Sequence, residues 1–216
     1  MNWFLDMCII IFYASDTKGA KSIKSKDFVN NKKDKKFFVC CYITKENMPK
    51  WIRRQHAILK IIGRKLKNPS CEIEKIEEYN LLFRQDIIIL KKLLAQASCL
   101  ENRQGYYEKL KKNHNLMIQR INYFLLKLID KEVVPIKEIN FELKSTLFTF
   151  LQNHSDAMTL ASGIQYAQEE KEKELKILTG DKHDWNKNNL KWVFSSRPDL
   201  AKKYAIIPEI VYVQRM

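Results

Sequence analysis

The chain has 216 residues, 45% of them hydrophobic and 30% charged, with a formal net charge of +14. That is enough apolar material for one domain with an insertion, or for two small ones, and it excludes a disordered chain. No run approaches the roughly 20 apolar residues of a membrane-spanning helix, and the N-terminal apolar run lacks a basic leader and is interrupted by Asp6, so a cytoplasmic protein without membrane contact is expected.

Asn2 to Tyr13, NWFLDMCIIIFY, predicts a short apolar strand, Asp6 at its end, and an apolar helix packed under a sheet. An aspartate inside such a run is costly to bury without a partner. Residues 15–36 are polar, carry seven lysines between Lys18 and Lys35, and predict a loop with one short helical turn around Ile23 to Phe28. Phe37 to Ile43 is a continuous apolar run, as in a buried parallel strand, and ends in Ile43-Thr44. Glu46 enters the next helix, which runs to about Lys67 with Pro49 tolerated in its first turn. Trp51, Ile52, Ile58, Leu59, Ile62 and Leu66 form its apolar side, and Arg53 and Arg54 lie mainly elsewhere on it.

The middle of the chain reads as helical. Ile73, Ile76, Phe83, Ile87, Leu90, Leu94 and Ala97 recur at three- and four-residue steps between Glu72 and Leu100. Tyr106, Leu110, His114, Met117, Ile121, Phe124 and Leu128 repeat the pattern up to Ile129, with Gly105 in the break. Two such helices predict an antiparallel hairpin, an insertion over residues 70–132, serving as extra core, as a dimer surface or as a lid. His114 falls on the apolar stripe and reads as a core histidine.

Phe141 to Leu151 predicts a helix, and Asn153 or Ser155 can cap a second one with Asp156 in its first turn. Leu160, Ile164 and Ala167 follow Asp156 at helical spacing, and Ala157 and Ala161 are small enough for close packing on a sheet. A short buried strand, Leu175 to Thr179, leads to Asp181, and a last strand is expected over Glu209 to Val213. Strands separated by helices imply an α/β fold: three α/β/α layers around a mainly parallel sheet. Ligands of such sheets bind at the carboxyl ends of the strands, where Asp6 and Asp181 fall and Glu46 lies close by.

The five cysteines, at 8, 40, 41, 71 and 99, form no CxxC pair and read as reduced thiols without a chemical role. Between Lys18 and Lys67 stand sixteen Lys and Arg against three acids, a net +13 that accounts for nearly all the excess charge. Such a field beside carboxylates suits a polyanionic substrate; on its own it also describes a solvated face.

The pattern D-A-x-x-L-A-S-x-I from Asp156, the strand end L-T-G-D-K around Asp181, the opening strand with Asp6 and the helix entry at Glu46 together resemble the PIN domains, a family of metal-dependent nucleases. The resemblance covers residues 1 to about 65 and 145–216. It implies a single PIN-like domain over 1–216 with the insertion within it, and a Mg²⁺- or Mn²⁺-dependent endoribonuclease hydrolysing RNA. Asp6, Glu46, Asp156 and Asp181 match the family's four acidic positions and are the expected metal and catalytic residues. Thr44 and Thr179 stand beside them; with Lys182, Arg53 and Arg54 they are the candidate substrate contacts. His183 reads as a contact to the scissile strand or as an exposed loop residue, and Asp184 as an extra ligand or, more in keeping with the family, as a surface residue or loop cap. Many family members are toxins held by an antitoxin, and others process RNA, so an antitoxin-like protein and a homodimer stand as expected partners beside RNA. The alternative is a non-catalytic nucleic-acid-binding or assembly module that keeps the fold.

Overall fold

Among the described residues five short stretches pair side by side as strands: β1 (Asn2–Leu5), β2 (Lys36–Cys40), β3 (Lys131–Val133), β4 (Lys176–Thr179) and β5 (Glu209–Tyr212). All neighbours are parallel, and their order in the sheet is β3-β2-β1-β4-β5. The helices are α1 (Met7–Ala14), α2 (Ala20–Asn30), α3 (Met48–Lys67), α4 (Arg84–Ser98), α5 (Arg103–Tyr123), α6 (Phe141–Leu151), α7 (His154–Glu169), α8 (Lys187–Ser196) and α9 (Pro198–Lys203). This computed structural model describes all residues except Thr17, Lys182, His183, Asp184 and Asn186, and except the side chains of Lys187 and Asn189.

After their first residue the three central strands, β2, β1 and β4, are buried and almost wholly apolar, because helices cover both faces of the sheet. Trp3 is in register with Phe37, and both meet Phe28 of α2, with ring centroids 4.7 Å and 5.7 Å away. Their chain neighbours point the other way: Phe38 lies 5.2 Å from Tyr166 of α7, and Gly163 of α7 sits against Phe4 and Ile177. A Cβ at Gly163 would stand 3.1 Å from Ile177 Cδ1, so this glycine sets how closely α7 approaches the sheet. The chain runs from β1 through β2 to β3 in one direction across the sheet, then crosses back past β1 to β4 and β5 on the other side. The result is the expected three-layer α/β/α arrangement. Helix α7 is buried at every residue from Ala157 to Ala167, which explains its small residues as well as its large ones.

The chain divides into two compact units: an α/β unit, Met1–Met48 with Arg120–Met216, and a helical unit, Pro49–Gln119. The helical unit therefore begins before residue 70, taking in most of α3, and ends before residue 132. Its core is Ala57, Ile58, Ile61, Ile62, Ile76, Leu82 and Leu90. Helices α3 and α5 run antiparallel in it: His56 meets His114 at 4.5 Å between ring centroids, and one heptad along, Gly63 meets Tyr107. His114 is buried and its Nε2 has no hydrogen-bond partner; burial, then His56, holds its pKa below the ordinary value.

Several expectations are corrected in detail. The strand expected to Ile43 ends at Cys40, and the chain turns at once into helix, with a π-helical turn over Ile43–Asn47 before α3. The turn expected around Ile23 to Phe28 is the whole of α2, whose buried face, Ser22, Ser25, Phe28 and Val29, has helical spacing but is half serine. The helix expected from Glu72 starts only at Arg84; before it come 3₁₀ turns at Ile73–Lys75 and Glu77–Leu81. Asp86 starts α4 by accepting a hydrogen bond from Phe83 N at 3.1 Å. Strand β3 was not anticipated, being only Lys-Glu-Val. Among the described residues no helix is long and apolar enough to cross a membrane.

Asn153 caps α7, accepting from the backbone N of Ser155 at 3.0 Å and of Asp156 at 3.4 Å, and Gln152 before it is left-handed at φ 50°. Asn153→Ala is expected to destabilise the protein by about 1 kcal/mol, read as a fall of roughly 2–4 °C in thermal unfolding.

Candidate functional site

The strand order reverses direction between β1 and β4, so the crossovers leaving these two strands depart to opposite sides. A crevice at the carboxyl ends of such a pair is where open α/β sheets bind ligands. Asp6 follows β1 directly, and Thr179, Gly180 and Asp181 end or follow β4.

The backbone ladder continues one residue past β1, with Asp6 N donating to Leu178 O at 3.0 Å. Asp6 occupies the N-cap position of α1, yet its side chain makes no capping bond. Its Oδ2 instead accepts from Thr179 Oγ1 and from Cys8 Sγ, each at 2.8 Å. Thr179 Oγ1 in turn accepts from Asp181 N at 3.0 Å, and Cys8 Sγ accepts from Gly180 N at 3.0 Å. The ends of β1 and β4 are thus tied by a ring of polar contacts around one carboxylate. Asp6 is only 8% exposed. Burial pushes its pKa above the ordinary 3.8, and the Cys8 and Thr179 donors offset part of the rise. Burial and the neighbouring Asp6 charge push the Cys8 thiol well above its usual 9.0, so it stays protonated and serves as a donor.

The other two expected acids stand at the same edge of the sheet. Glu46 is half-buried in the π-helical turn that follows β2. Asp156 is half-buried in the first turn of α7. That turn is held to the segment after β2 by Tyr42 Oη and Ser155 Oγ, 3.2 Å apart. Thr179 is tied to two of the acids, as described. Thr44 Oγ1 donates to Cys41 O at 3.2 Å, a bond within its own helical turn. Arg53 and Arg54 belong to the helical unit, where Arg53 is exposed. Arg54 Nε lies 2.9 Å from Asp86 Oδ2 in an ion pair without hydrogen-bond alignment, and its guanidinium is 4.4 Å from the Phe83 ring. Lys182, with His183 and Asp184, lies outside the described residues.

Reasoning from sequence missed Cys8, whose only signal was its position two residues after Asp6. It also missed Lys21 and Gln214, whose Nζ and Nε2 donate to Gly180 O at 3.2 Å and 2.8 Å from distant parts of the chain.

Among the described residues no group of three or more His, Cys, Asp or Glu side chains stands close enough to hold a metal ion. A cation caged wholly by protein does not fit that arrangement. Mg²⁺, however, keeps several waters and is commonly held by one or two carboxylates. The Asp6 carboxylate is one hard oxygen donor of the kind such a hydrated ion takes, and Asp181 is joined to the same Thr179 hydroxyl through its backbone amide. No family model, curated protein or solved structure matches this chain.

Two outcomes follow from the geometry. A carboxyl whose pKa is raised by folding gives most stability below its unfolded value, and this is lost as pH rises through the folded value. Asp6→Asn is therefore expected to raise the melting temperature at pH 7 by about 2–4 °C, with the gap to wild type closing as pH is lowered towards 4. A Cβ at Gly180 would collide with the Phe12 ring. Gly180→Ala is expected to cost about 1–3 kcal/mol through overpacking, measured by urea unfolding.

Proposed function

We propose that this chain is a Mg²⁺- or Mn²⁺-dependent endoribonuclease of PIN type, cutting RNA phosphodiester bonds at the carboxyl edge of its sheet. The observation that carries the reading is Asp6. A buried carboxylate at the topological switch point, with its pKa raised and its Oδ2 bound by two donors, is a group that folding alone would not favour.

In this reading Thr179 and Cys8 fix the orientation of the Asp6 carboxylate through Oδ2. Asp6 and Asp181 would hold the ion, with Glu46 and Asp156 acting through its waters. A bound divalent ion supplies an activated water and offsets the charge of the phosphate. The protonated Cys8 thiol orients a ligand and is no nucleophile. The excess of cations between Lys18 and Lys67 favours a polyanion as substrate. A toxin-type or RNA-processing role, an antitoxin-like partner, a homodimer and a cytoplasmic setting accompany this reading as further proposals.

One observation favours a second reading, a non-catalytic nucleic-acid-binding or assembly module: among the described residues the acids form no ready group of three. The two readings separate in one set of measurements. Mn²⁺ at a hundredfold excess over its Kd is expected to stabilise wild type by about 2.7 kcal/mol and to leave Asp6→Asn unchanged. Wild type with Mn²⁺ is expected to cut labelled single-stranded RNA, and Asp6→Asn and Asp181→Asn to lose cleavage with circular dichroism unaltered. Neither stabilisation by Mn²⁺ nor cleavage of any RNA would leave the binding module as the better account.

A further inference from the structure

Most cations in the basic segment whose partners are visible serve the fold. Lys32 pairs with Asp130, Lys45 with Glu132, Arg54 with Asp86 and Arg64 with Glu78. Lys24 donates to the carbonyls of Gln214 and Met216. Lys21 differs from all of these in where its charge lands. From the first turn of α2 it reaches the end of β4, with Nζ 3.2 Å from Gly180 O, between the residue that bonds Asp6 and Asp181 itself. Lys21 is exposed, and among the described residues no carboxylate lies within ion-pair distance of it. A lysine in the first turn of a helix also works against the helix dipole, which favours an acid there.

We propose that Lys21 is the phosphate anchor of the crevice: its ammonium, steadied by the Gly180 carbonyl and the Phe12 ring 5.4 Å away, binds a backbone phosphate of single-stranded RNA beside Asp6 and Asp181. This rests on the nuclease reading of the same crevice and adds the residue that seats its substrate. The bond to Gly180 uses one of three N–H donors, and the remaining two suit phosphate oxygens. Gln214 holds the same carbonyl at 2.8 Å, so the anchor point stays fixed if Lys21 shifts towards a phosphate.

The test separates seating from cleavage. In the full chain carrying Asp6→Asn, binding of a fluorescein-labelled dodecauridylate is measured from 50 to 200 mM salt. One lost phosphate contact lowers the slope of log K against log salt by about 0.7 for a single strand. Adding Lys21→Met is expected to lower the slope by that amount, Lys21→Arg to keep it, and Lys24→Met, which alters a cation bound to C-terminal carbonyls, to leave it unchanged. Melting temperatures of all variants accompany the slopes. Equal slopes for Lys21→Met and its parent, an equal fall for Lys24→Met, or no binding by the parent at 50 mM salt would overturn the proposal. If wild type cuts RNA with Mn²⁺ and Lys21→Met leaves kcat/KM intact, the anchor fails and the nuclease reading stands. If wild type cuts nothing and Lys21→Met still lowers the slope, the nuclease reading fails and the anchor stands.

Discussion

The Thr179 hydroxyl donates to the Asp6 carboxylate and accepts from the Asp181 amide, and the first of these bonds depends on β1 and β4 being paired in one register. Leu5 stands opposite Leu178, which brings the two strand ends level and sets Thr179 beside Asp6. A slip of one residue would turn every side chain of β4 to the other face and take the hydroxyl away from the acid. The apolar packing on both faces therefore determines the polar chemistry at the edge. Phe4 and Ile177 against Gly163, and Trp3 and Phe37 against Phe28, hold the register in which the ring around Asp6 can form.

Charge in this protein has two separate uses. Along much of the basic segment, ammonium and guanidinium groups meet a carboxylate or cap a backbone carbonyl, so the summed charge overstates the field a ligand would meet. At the carboxyl edge the balance is reversed. There a carboxylate is buried with hydroxyl and thiol donors in place of a cation, and desolvation dominates its protonation. A group held that way is poised to gain from any positive charge that enters the crevice.

How far the sequence could be read depended on how local each determinant was. β1 with Asp6, β4 with Asp181 and α7 with Asp156 were legible because apolar runs, a cap and small residues at helical spacing all lie within a few positions. α2 is longer than its apolar pattern suggests because the first half of its buried face is serine, and apolar counting overlooks Ser22 and Ser25. The end of β2 was misplaced because Cys41, Tyr42 and Ile43 are apolar whether they extend a strand or start a helix. β3, three residues long and mostly polar, takes its strand form from pairing with β2 and carries no pattern of its own. Within the candidate site the acids could be found individually. Cys8 and Lys21 could not, since their roles rest on contacts 172 and 159 residues away along the chain.

The helical unit is one unbroken stretch, Pro49–Gln119, whereas the α/β unit is assembled from the chain on either side of it. Contacts within an unbroken stretch close short loops, and contacts that span one cost more entropy and form more slowly. The bond from Thr179 to Asp6 spans 173 residues and is among the longest closures in the molecule. During synthesis the helical unit is complete long before β4 leaves the ribosome. A chain stalled anywhere before residue 179 carries Asp6 without Thr179, so a nascent fragment of this protein lacks the hydroxyl that fixes this carboxylate.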